Sequence, residues 1–112
     1  MATGGNSSEI FVIKGTLEYF EDDDEDYIVS NKTFKEISDA VSRKDFIVLI
    51  ATDQGDPDYY KVCVFNGYLK YDEISNLYIF SFTSLLDNSE NLFFEAESPD
   101  DYPIGYADQV LG

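Results

Sequence analysis

The sequence contains no histidine, no tryptophan, one cysteine and only seven lysines and arginines. Without histidine, the commonest general base and the commonest transition-metal ligand are both missing. A Ser-His-Asp or Cys-His catalytic site cannot be assembled, and zinc lacks its usual donor set. The lone Cys63 has no partner for an internal disulfide, so an oxidising compartment offers the chain nothing. Between Val62 and Val64 it reads as buried and inert. No glycine-rich loop is followed by a lysine. No apolar run approaches the ~20 residues of a membrane helix. The start, "MATGGNSSE", has neither the basic nor the apolar region of a secretory signal. These absences lead us to expect a cytoplasmic protein that is not an enzyme, carries no cofactor or metal, and does not enter a membrane.

What is present is acid. Twenty-three Asp and Glu against seven bases give a formal charge of −16 over 112 residues. Phosphates would be repelled, so nucleic acid and anionic lipid are excluded as partners, and basic proteins are favoured. The acids fall in blocks. Residues 15–31 hold seven acids and no base, residues 71–112 hold nine acids and no base, and residues 32–70 balance six against six. The densest run, "EDDDED" (Glu21, Asp22, Asp23, Asp24, Glu25, Asp26), ends at Tyr27. A second group is Asp100, Asp101 and Tyr102, with Tyr106 beyond it. Tyrosines beside acids suit an interface, because each ring brings contact area and a polar tip. The same runs also fit solvated loops. Asp22, Asp24 and Asp26 have the first spacings of an EF-hand, but Tyr27 stands where its glycine belongs and Thr33 where its bidentate Glu belongs.

The size bounds one domain, and 44% hydrophobic residues support a core. Residues 1–8 read as a disordered segment or tag remnant, and 9–112 as a single α+β domain. "IFVIKGTLEYF" alternates, placing Phe11, Ile13, Leu17 and Tyr19 on one face of a strand; Gly15 is expected to mark a bulge. Thr33 and Glu36 form a capping box. Phe34, Ile37 and Val41 make one helical stripe, with Arg43 and Lys44 expected in the last turn. "FIVLIAT" reads as a strand buried on both faces. Asn66-Gly67 is a favoured hairpin dipeptide within "YYKVCVFNGYLKY". "LYIFSFTSLL" and "NLFFEAE" complete the strands, Tyr78, Phe80 and Phe82 sharing a face. The tail after Ser98 reads as irregular chain. The order β-α-β-β-β-β predicts a mostly antiparallel sheet of about five strands with one helix packed on it.

In size, charge blocks, missing catalytic residues and the "EDDDEDY" run, the chain resembles the small acidic immunity proteins that bacteria pair with nuclease toxins, as in contact-dependent inhibition systems. The resemblance covers the chain as a type and assigns no residue roles. It implies an inhibitor that neutralises a basic toxin by direct complex formation, most simply as a monomer in a heterodimer. Two alternatives stay open: a phage-type nucleic-acid mimic that blocks a DNA-binding host protein, and a non-catalytic interaction domain.

Overall fold

A computed structural model describes residues 9–19, 26–53, 56–85 and 91–107. Within them run β1 (Ile10–Tyr19), β2 (Asp26–Ser30), α1 (Phe34–Ser42), β3 (Phe46–Asp53), β4 (Asp56–Asp72), β5 (Leu77–Ser84), β6 (Asn91–Ala96) and β7 (Ile104–Tyr106). The sheet is not the open, five-stranded layer expected from the sequence. It closes into a barrel in the order β1-β2-β7-β6-β5-β4-β3. Seven strands cannot alternate in direction all the way round a ring. The one parallel pair is β1–β3, running from Ile10↔Phe46 to Thr16↔Thr52, and every other pair is antiparallel.

Closure depends on the tail. Ile104–Tyr106 is a strand, not irregular chain, and it fills the gap between β2 and β6. Closure also changes what β3 does. Its inward residues Ile47, Leu49 and Ala51 are buried, but Phe46 is exposed and Val48 and Ile50 are half-buried on the outer surface. A continuous apolar strand needs cover on both faces only in an open, layered sheet; a barrel supplies one interior.

That interior is filled by side chains. Phe80, Phe82, Phe94, Ile13, Ile28, Leu49 and Leu92 are fully buried, and the Phe80 and Phe94 rings stack 5.5 Å apart. Small residues make room for the large ones, as small barrels require. A Cβ on Gly15 would lie 2.5 Å from Ile28 Cγ2, and one on Gly105 would lie 3.1 Å from the Phe94 ring. Gly15 therefore serves close packing. It pairs regularly with Ser30 and Ala51, with no bulge. The irregularity expected as a hairpin at Asn66-Gly67 is instead a bulge in the 17-residue β4: the register slips between Phe65 and Leu69, and Gly67 has φ 96°.

The helix closes one mouth of the barrel, where β2 ends and β3 begins. Phe34, Ile37 and Ala40 are buried in the core cluster. Thr33 Oγ1 accepts from Glu36 N at 3.1 Å and Glu36 Oε1 accepts from Thr33 N at 3.0 Å, the expected capping box. Arg43 and Lys44 lie past the last turn, which holds no base. Arg43 is the C-cap, and Lys44 follows in the left-handed region at φ 64°. Lys44 N donates to Val41 O and Asp45 N to Ala40 O, a Schellman ending that is usually built with glycine. No helix among the described residues is long and apolar enough to cross a membrane.

Candidate functional site

Since the barrel interior is packed, any binding surface lies outside it. On the arc β6-β7-β2 the outward residues include the aromatic Phe93, Tyr27 and Tyr106 and the acidic Glu95, beside Asn91, Ile104 and Val29. Tyr27 and Tyr106 are register partners, and their ring centroids lie 5.2 Å apart. Glu95 pairs with Ile104. Tyr27, Phe93, Glu95, Ile104, Gly105 and Tyr106 line a concavity of about 290 Å³. A second, of about 420 Å³, shares Glu95 and Ile104 and adds Leu77, Glu97, Asp101 and Tyr102. Among the described residues its three carboxylates face no lysine or arginine in the lining. Each of the three is exposed.

The turn that carries Asp101 and Tyr102 is held by backbone. The first amides of α1 lack intrahelical acceptors, and they donate outward: Phe34 N to Asp101 O at 3.1 Å, and Lys35 N to Pro99 O at 2.8 Å. Ser30 N donates to Pro103 O at 2.9 Å. Helix and turn thus fix each other, and the acids stand at the positive end of the helix, where their charge is favoured.

A third concavity, of about 440 Å³, continues the face beyond Phe93 and is lined by Asn66, Tyr68, Ser81, Asn91 and Phe93. The β4 bulge builds it. Asn66 Oδ1 accepts from Tyr68 N at 3.0 Å and from the buried Ser81 hydroxyl at 2.9 Å, while Asn66 Nδ2 donates to Asn91 Oδ1 at 3.0 Å. One side chain thereby ties β4, β5 and β6 together. Lys70, at the margin, lies 5.6 Å from the centre of the Tyr68 ring. A side-chain hydrogen bond to Tyr68 holds its ammonium above the ordinary value.

Of the residues expected to meet a partner, Tyr27, Tyr106, Asp101 and Tyr102 come together on this face. Asp26 is exposed at the start of β2, one residue from Tyr27, and Asp100 is exposed in the Asp101 turn. Glu21, Asp22, Asp23, Asp24 and Glu25 lie outside the described residues. Sequence reasoning missed Glu95, Glu97, Phe93 and Tyr68. The signal for the first three was the outward set of "NLFFEAE", which alternates cleanly once the inward residues Leu92, Phe94 and Ala96 are known.

Cys63 is buried, and burial pushes its thiol up to about 11, with Lys61 acting weakly the other way. Among the described residues, no group of three or more Cys, Asp or Glu is arranged to hold a metal ion. Fold and face together define a small, filled β-barrel with an acidic, aromatic outer surface. No family model, no curated protein and no solved structure matches the chain.

Proposed function

We propose that this protein is an inhibitor that binds a basic protein through the β6-β7-β2 face, in the manner of an immunity protein that neutralises a nuclease toxin in the cytoplasm. One observation carries the reading: two adjoining concavities share Glu95, are walled by Tyr27, Phe93, Tyr106 and Tyr102, and have no cation in their lining among the described residues. A lysine or arginine side chain is what such a surface receives. The carboxylate supplies charge, and the ring faces add cation–π attraction of about 0.5–2 kcal/mol. The acidic run beside Tyr27 adds long-range attraction, which raises the encounter rate. Nuclease clefts are positive because they receive phosphate, so a toxin of that class fits. A polynucleotide mimic is less well supported. It needs acids repeated regularly along a face, as phosphates are at one per ~3.4 Å of helix axis on each strand, whereas outward positions on β6 run Asn91, Phe93, Glu95.

The test is affinity capture from a lysate of the source organism at low salt, eluted with a salt gradient and identified by mass spectrometry. The captured enzyme is then assayed with and without this protein. A single basic enzyme, released only at high salt and inhibited on addition, supports the proposal. A broad set of basic proteins leaving at modest salt, with no activity inhibited, overturns it.

A further inference from the structure

The opposite arc of the barrel, β4-β3-β1, presents a different surface. Its outward residues line up in register across three strands: Val12, Val48 and Val64 in one row, Lys14, Ile50 and Val62 in the next, and Thr16, Thr52 and Tyr60 in the third. Ile10 and Phe46 pair at the helix end and are 67% and 52% exposed. Leu85, whose amide donates to Val62 O, extends the patch and is 58% exposed. Within the rows Val12 and Tyr60 are exposed, and Val48, Ile50, Val62 and Val64 are half-buried.

From this we infer that the β4-β3-β1 face is where two copies of the chain meet. Charge selects the occupant. Each chain carries −16, yet the three rows and the Ile10–Phe46 pair contain no carboxylate and one cation, Lys14. The acids lie at the ends of the rows: Asp53, Glu18 and Asp58 beyond the third row, and Glu9 and the Arg43-paired Asp45 beside Ile10 and Phe46. A basic partner gains nothing here and is drawn to the acidic arc. A second copy brings the same apolar rows, as a two-fold interface demands, and the rows themselves bring no carboxylates together. At strand spacings of ~4.8 Å and rises of ~3.3 Å, the rows with Leu85 project to roughly 300–400 Å². That is the scale of the largest apolar patches on monomers, and about half of what each partner buries in a standard interface. The dimer is therefore concentration-dependent, and it departs from the monomer favoured by the charge count alone. Because β6-β7-β2 lies on the other side of the ring, both acidic faces stay free, and the dimer stands independently of the proposed inhibition.

Sedimentation equilibrium on the full chain tests it, at 0.1 M and 1 M NaCl and protein concentrations from about 10 µM to 1 mM. The Debye length shrinks from about 10 Å to about 3 Å over that salt range, so repulsion between copies fades and dimerisation strengthens, the reverse of the salt effect on a basic partner. The wild-type mass should rise toward twice 12.7 kDa, sooner at 1 M NaCl. Val48→Glu should remain monomeric throughout. Phe46→Asn, at an exposed position that the fold does not need, should weaken the dimer at least 10-fold with an unchanged circular dichroism spectrum. A wild-type chain that stays at 12.7 kDa in every condition overturns the inference, as does a dimer that both variants retain.

Discussion

Tyr68 on β4 and Phe93 on β6 meet edge to face with ring centroids 6.1 Å apart, although β5 runs between their strands. They span it because β5 places the small Ser81 between them and because the bulge around Gly67 turns Tyr68 toward β6. Bulges commonly re-aim a side chain beside a functional surface. Here one brings an exposed ring onto the face that carries Glu95.

Asn66 is the residue on which that arrangement depends. Asn66→Ala removes the acceptor of the buried Ser81 hydroxyl and of the Tyr68 amide. Leaving a buried hydroxyl unpaired costs about 1–3 kcal/mol. Urea unfolding should show a loss in that range, and backbone amide shifts should move chiefly at Tyr68, Ser81 and Asn91.

Phe80 sits at the centre of the core, 1% exposed and in ring contact with Phe34, Phe82 and Phe94. Phe80→Ala should cost about 3–5 kcal/mol, the range for a large ring removed from a packed core. Thermal and urea unfolding measure it, and a cost near 1 kcal/mol would contradict the inward placement of Phe80.

Lys44 occupies a left-handed backbone position that glycine adopts without strain. Lys44→Gly should stabilise the protein by about 0.5–1 kcal/mol, the strain relieved exceeding the entropy that glycine adds to the unfolded chain. The midpoint of thermal unfolding should rise.

For Cys63 the sign with pH follows from burial. The folded thiol keeps its proton up to about 11, against 9.0 for the ordinary group. Between those values the unfolded chain releases the proton and the folded chain retains it, so this contribution falls as pH rises through that window. Unfolding at pH 8 and pH 10.5 should show wild type losing more stability than Cys63→Ala over the same interval. At neutral pH the thiol should react with a disulfide reagent only as the protein unfolds.

The parts of the fold that were legible in the sequence are local. The Thr33–Glu36 capping box lies within one turn, and the inward set Tyr78, Phe80 and Phe82 follows from period-two alternation along one strand. Closure was not legible. It rests on β7, three residues long and set among prolines and glycines, which reads as tail until its neighbours β2 and β6 are in place. Asn66-Gly67 has the chemistry of a tight turn, and a bulge uses the same positive φ. For the site, charge blocks pointed to Asp101 and Tyr102, and tyrosines beside the acidic run pointed to Tyr27. The partnership of Tyr27 with Tyr106, and of Asp101 with Glu95, depends on register between strands distant in sequence, and composition carries no register.

The most direct test of the account is the lysate capture repeated side by side with wild type and with Phe93→Ala/Glu95→Gln. These two exposed side chains support the acidic face and contribute little to the core. One basic enzyme should be held by wild type, inhibited by it, and bound at least 10-fold more weakly by the double variant, whose unfolding midpoint is nearly unchanged. An enzyme held and inhibited equally by both proteins would contradict the account, because the β6-β7-β2 face would then not be the binding surface.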